Sequence, residues 1–143
     1  MWQALLTLSK AEILKGKKNF EELIHKGNSF YVFPFRVVFM LSANEAEIED
    51  KNETKATLCV RLGISVPKKK FGSAVDRNKI KRQLREAYRL NKETLLYPIL
   101  CKKNFRLNLL LIYTHNLILD TQTVTLKTVN VLKKLEHEFI SPL

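Results

Sequence analysis

The sequence predicts an α+β protein: helices packed on a mainly antiparallel four-stranded sheet, in the order α-β-β-β-α-β-α. Short runs rich in β-branched and aromatic residues are interspersed with longer segments of helical periodicity. The 143-residue chain is 45% hydrophobic with only 4 Gly and 4 Pro, enough apolar content for one core and too much for a disordered tail. The longest apolar run, Phe105–Tyr113, is interrupted by Arg106 and Asn108, well short of the roughly 20 residues a bilayer requires. The chain therefore reads as one soluble domain over 1–143.

At the start, Ser9–Glu12 ("SKAE") has the spacing of a capping box, and "KKNFEELIHKG" reads as a helix ending at Gly27 with Phe20, Leu23 and Ile24 on one face. "SFYVFPFRVVFML" argues for strand, and Pro34, which cannot donate to a ladder, divides it into two. The acidic stretch "SANEAEIEDKNET" reads as a solvated loop. "KATLCVRLGISV" is the third strand, stopped by Pro67, and a helix follows from Ala74 or Val75. The fourth strand is expected at about Arg106–Thr114, after Tyr97–Pro98. A last amphipathic helix carries Leu126, Val129, Leu132 and Leu135 as its apolar stripe.

The opening "MWQALLTLSKAEILKG" has no basic stretch ahead of an apolar run, so it does not read as an export signal. Cys59 and Cys101 are isolated and lack metal-ligand spacing, which fits a reducing cytoplasm and free thiols. Cys59, in mid-strand, is expected to be buried.

Charge is the dominant signal. The net charge is +11. Arg61–Lys92 holds eleven bases (among them Lys68, Lys69 and Lys70) against two acids, Asp76 and Glu86, so most of the surplus lies in under a quarter of the chain. At about 100° per residue, Ile80, Leu84, Ala87 and Tyr88 share one side of this helix. Asn78, Arg82, Arg85 and Arg89 share another, with Lys81 at its edge. The ordinary explanation of a charge run is a solvated face. Such faces usually interleave acids with bases, because like charges one turn apart repel by about 0.2–0.5 kcal/mol. Here Arg77, Lys79 and Lys81 also occupy the first turns, where the helix dipole disfavours cations. A polyanion would relieve both penalties. Guanidinium groups fork onto phosphates, and no apolar residue on this face is placed to enter a bilayer, which favours a structured nucleic acid over a membrane.

At these residues the chain resembles a family. "FGSAVDRNKIKRQLRE" is similar to the signature of the bacterial ribonuclease P protein component through Ala74, Arg77, Asn78, Lys79, Ile80, Lys81, Arg82, Leu84 and Arg85. "GISV" resembles the family's third strand and "LKGKKNFEELIHKG" its first helix, so the likeness runs from about Leu8 to Leu135. Lys79 stands where many members have a second arginine, Ile24 where an aromatic is common, and the acidic loop Ala43–Glu53 is longer than in compact members.

The resemblance implies a protein subunit that binds a large catalytic RNA and the 5′ leader of precursor tRNA, assisting endonucleolytic release of the mature 5′ end. It implies that the RNA, with Mg2+ bound mainly by the RNA, performs the chemistry. It also implies a left-handed crossover around the basic helix. Arg77, Asn78, Lys79, Lys81, Arg82, Arg85 and Arg89, extended by Lys68–Lys70, would face the RNA. A cleft between the first helix and the sheet would take the leader, with Phe20 as the stacking residue and Ile24, Arg36 and Val38 beside it. His25, His115 and His137 are scattered, and neither a catalytic constellation nor a metal cluster is legible, so no catalytic or metal-binding residue is expected on the protein. No protein partner is evident. A ribosomal-RNA-binding protein is the alternative reading of the charge.

Overall fold

Pro34 has no N–H to give a ladder, and the chain turns there, so one aromatic-rich run becomes the two arms of a hairpin. In the computed structural model, which describes Leu14 and residues 16–43, 60–95 and 105–140, the elements are α1 (Lys17–Lys26), β1 (Asn28–Val32), β2 (Phe35–Ala43), β3 (Val60–Ser65), α2 (Ala74–Leu95), β4 (Phe105–Tyr113) and α3 (Thr121–Lys134). The expected element order is the observed one. The first two residues of the expected acidic loop, Ser42 and Ala43, instead end β2; the rest of that loop, the Ser9–Glu12 box, Cys59, Cys101, the Lys55–Cys59 part of the third strand and Tyr97–Pro98 lie outside the described residues.

The sheet order is β1-β2-β4-β3. β2 pairs antiparallel with both β1 and β4, whereas β3 lies parallel to β4 and reaches it through α2. β4 is thus an inner strand with helices on both of its faces, and Leu107, Leu109, Leu110, Leu111 and Tyr113 are all buried.

Alternation along the strands sorts two cores. On one face Phe35, Val37, Phe39, Val60, Leu62, Leu109 and Leu111 pack with Ile80, Leu84 and Tyr88 of α2 and Val124, Val131 and Leu132 of α3. On the other, Val38 and Leu110 pack with Leu23 of α1 and Leu14, flanked by Phe20, Met40 and Ile112. Gly27 makes the close approach of α1 to the sheet feasible: a Cβ there would lie 2.5 Å from the Leu23 carbonyl oxygen and 2.9 Å from that of Phe39.

The apolar stripe of α3 differs from the expected one. Leu126 is 58% exposed, and Val129 is only half-buried. The buried positions are Val124, Thr128, Val131, Leu132 and Leu135. Asp120 caps the helix, accepting from the Thr123 N–H at 3.1 Å and the Thr123 hydroxyl at 2.6 Å. A threonine can then occupy the stripe because its hydroxyl donates to the Val124 carbonyl at 2.8 Å. After Lys134 the chain continues in a wider, π-type turn over Leu135–Ile140.

Replacing Leu84, fully buried between α2 and the sheet, by Ala should destabilise the protein by about 2–5 kcal/mol in denaturant titrations. Hydrogen bonding from the Thr123 hydroxyl, and then from its N–H, holds the Asp120 carboxyl below its ordinary 3.8. A depressed carboxylate stabilises the fold above its unfolded pKa and loses that contribution as pH falls through the folded value. Asp120→Ala should therefore lower the melting temperature at neutral pH, and the gap from the parent protein should narrow below about pH 4.

Candidate nucleic-acid interface

The basic helix is anchored by its apolar side and leaves its cations outside. Ile80, Leu84, Ala87 and Tyr88 are buried, as their spacing requires, while Asn78, Lys79, Arg82 and Arg85 are exposed and Lys81 is partly exposed. Among the described residues, no ion pair to Lys79, Lys81, Arg82 or Arg85 is found. These four cations therefore project uncompensated charge over about two turns of helix.

Two predicted contact residues already have intramolecular partners. Arg77 donates through Nη1 to the carbonyl oxygens of Phe71 at 2.8 Å and Gly72 at 3.0 Å, tying the first turn of α2 to the segment that enters it. Arg89 forks onto Glu86 three residues earlier, with Nε on Oε2 at 3.1 Å and Nη2 on Oε1. The Arg89 guanidinium, by hydrogen bond first and charge second, holds the Glu86 carboxyl below its usual value. The acid on the basic face is thereby neutralised towards the C-terminal end of the stripe.

Beside this face, Lys79, Arg82, Gln83 and Glu86 of α2 and Thr121 of α3 line an open groove of about 340 Å3. The Gln83 amide crosses it, donating to the Leu119 carbonyl at 3.2 Å and the Thr121 hydroxyl at 3.3 Å, so α2 and the start of α3 are held together.

The predicted leader residues lie on the opposite sheet face. Phe20 is half-buried over β3, and a Cβ on Gly63 would come within 3.0 Å of its ring, so only glycine lets the ring lie this close to the strand. Ile24 is 50% exposed and Arg36 is exposed. Val38, at 2%, is buried among Leu14, Leu23 and Leu110, where it supports the α1–sheet contact and offers no surface of its own.

Strand register adds residues that were not assigned from sequence. Arg61, Asn108 and Met40 are lateral neighbours on this face, with Arg106 two residues before Asn108. The Asn108 side-chain oxygen is buried with no hydrogen-bond partner among the described residues. Period-two alternation in phase with Val38 and Gly63 is the signal that would have identified them. Lys68, Lys69 and Lys70 form the turn from β3 towards α2, and Lys70 donates to the Thr114 carbonyl at the end of β4. Among the described residues, no group of three or more His, Cys, Asp or Glu side chains is arranged to hold a metal ion, and no helix is long and apolar enough to cross a membrane.

These features define a basic α+β protein with a cationic helix packed on one face of its sheet and a second helix, α1, packed on the other. The chain belongs to the ribonuclease P protein family: the family model described as Ribonuclease P matches residues 8–136. It is 40% identical over 92 residues to a ribonuclease P protein component of Porphyromonas gingivalis, a stretch covering 64% of this chain and 60% of that protein. A Staphylococcus aureus ribonuclease P protein component is 38% identical over 91 residues, 64% of this chain and 67% of the relative. The solved RNase P protein of Thermotoga maritima superposes with a TM-score of 0.62 at 30% identity, covering 87% of this chain and 98% of that one. The Staphylococcus aureus RNase P protein gives 0.61 at 30% identity, covering 87% and 94%.

The partners of Arg77 set it apart from its neighbours on the helix. Arg77→Ala should cost about 1–2 kcal/mol of stability through removal of the charge-assisted bonds, measured by thermal or denaturant unfolding. Arg82→Ala and Arg85→Ala should each stay within about 0.5 kcal/mol of the parent protein.

Proposed function

We propose that this chain is the protein subunit of a ribonuclease P holoenzyme. It binds a catalytic RNA through α2 and the 5′ leader of precursor tRNA through the groove between α1 and the sheet, and so assists endonucleolytic removal of the leader in the cytoplasm. The observation that carries this reading is the uncompensated cation stripe of α2, displayed on the segment that bears the Arg-Asn signature. The names of its relatives agree with it. The ribosomal-RNA alternative finds no support in the same comparisons.

In this reading Lys79, Lys81, Arg82 and Arg85 meet RNA phosphates, with Asn78 among them and Lys68 and Lys69 extending the contact. Arg77 combines a structural role with contact through the rest of its guanidinium, and Arg89 contributes once RNA competes with Glu86. Phe20 stacks on an unpaired base, and Ile24 and Arg36 border the strand while Val38 holds the floor. The cleavage chemistry belongs to the RNA. Mg2+, held mainly by RNA phosphates, would supply Lewis-acid and charge-neutralising chemistry there. This chain's own part is affinity and orientation.

Reconstitution tests the proposal. The purified protein alone should leave precursor tRNA intact and should stimulate cleavage when a ribonuclease P RNA is added at low magnesium. Cleavage by the protein alone, or an RNA indifferent to it, would overturn the assignment. Affinity for the RNA should fall steeply with salt. Arg82→Ala with Arg85→Ala should flatten the log–log slope by about one unit for each phosphate no longer neutralised.

A further inference from the structure

The end of the sheet where β3 and β4 finish carries exposed rings that the proposed function does not use, beside the lysine turn that it does. Tyr31 is 56% exposed and Phe33, at the tip of the β1–β2 hairpin, 42% exposed. Exposed aromatics scattered singly are ordinary, but these are organised. Phe33 meets His115 edge to face, with centroids 5.0 Å apart. The Thr114 hydroxyl donates to the Pro34 carbonyl at 2.8 Å and lies 3.4 Å from the Tyr31 hydroxyl, so the hairpin tip is pinned to the end of β4. Lys70 donates to the carbonyl of the same Thr114, which brings the triple-lysine turn against the tip.

The segments that meet here carry bases and no acid of their own. No Asp or Glu occurs in residues 28–41, 60–75 or 105–119, the segments that build this end, although Asp76 and Asp120 follow directly after two of them. The patch also adjoins the proposed leader site. Tyr31 is the cross-strand neighbour of Arg36, and Arg36 of Ile112, on the sheet face that α1 borders. Aromatic faces on segments that carry lysines and no acid fit a single-stranded polyanion whose units carry π-faces.

We infer that Tyr31, Phe33 and His115, with Lys68–Lys70, form a second stacking platform for unpaired RNA, taking leader nucleotides that continue past the groove to the hairpin tip. The inference rests on the leader-binding part of the proposed function and extends it to residues outside the cleft.

The experiment uses the holoenzyme reconstituted with a ribonuclease P RNA. It measures binding of precursor tRNA with a short leader that fills only the groove and with a long, unstructured leader that reaches the tip. The parent protein should bind the long-leader substrate more tightly. Tyr31→Ala, on an exposed edge strand, and Phe33→Leu, which keeps apolar bulk but removes the π-face, should each lower long-leader affinity about five- to tenfold. Both should leave short-leader affinity unchanged, and Tyr31→Phe should bind both substrates like the parent. Variants that bind both leaders normally, weaken both equally or change only the oligomeric state in sedimentation would overturn the platform. Phe20→Ala separates the two levels of the argument. If it weakens both substrates while the tip variants are silent, the groove stands and only the platform falls. If leader binding is indifferent to Phe20 and to leader length alike, the leader reading itself fails, and the platform with it.

Discussion

The structure depends on the insertion of β4 between β2 and β3. It pairs antiparallel on one side and parallel on the other, over nine and six residue pairs respectively. A parallel neighbour cannot be reached by a tight turn, so the chain between β3 and β4 must cross a sheet face, and α2 is part of that connection. The basic helix is therefore held by the topology as well as by its own packing. Its apolar side, Ile80, Leu84, Ala87 and Tyr88, is buried, which turns its cationic side outwards along a rigid rod. Because β4 is inside the sheet, its alternate residues must serve two cores, and its run of leucines does so.

The tolerance of α2 for its own charge follows from this arrangement. Like charges one turn apart cost a few tenths of a kcal/mol each, about 0.2–0.5, small beside the burial of several large side chains at about 1.5–3 kcal/mol each. The core can therefore hold the helix in place without anions to offset it. Only the C-terminal part of the stripe has an internal counter-charge among the described residues, in the Glu86–Arg89 fork, and it lies on the surface where solvent screens it. The uncompensated cations sit nearer the N-terminal end, beside the lysine turn.

Local chemistry was readable before the fold was known. Pro34 divided the strands, Gly27 ended α1, and the separation of apolar and cationic stripes on α2 followed from periodicity. What escaped the sequence were features fixed by partners distant along the chain or by helix phase. The stripe of α3 holds at Leu132 and Leu135 but not at Leu126, because Thr128, whose hydroxyl is bonded within its own helix, takes a buried position that apolarity alone would not assign to it. Arg77 and Arg89 looked like free contact residues until their carbonyl and carboxylate partners appeared. Arg61 counted only as one base of a charge cluster, and Arg106 and Asn108 only as breaks in an apolar run, until strand register gathered them on one face. The hairpin tip joins residues 80 or more positions apart, Tyr31 and Pro34 with Thr114, which no short-range pattern encodes.

The placement of α1 and α2 on opposite faces means that a ligand engaging both must pass round the sheet. The outer edge of β3 is occupied in part, since the Leu14 N–H donates to the Leu62 carbonyl there at 2.9 Å. The carboxyl ends of the parallel pair offer a different route. Both β3 and β4 finish there, so Lys68–Lys70, Thr114 and His115 converge beside the β1–β2 turn. In sheets containing parallel strands, ligands collect outside the carboxyl ends because the connecting segments diverge there and leave a crevice. In this chain the segments that meet at that end carry lysines and the rings of Tyr31, Phe33 and His115. The direction of β4 and the composition of the segments that meet it thus bring these lysines and rings to one end of the sheet, between the face that α1 covers and the face that α2 covers.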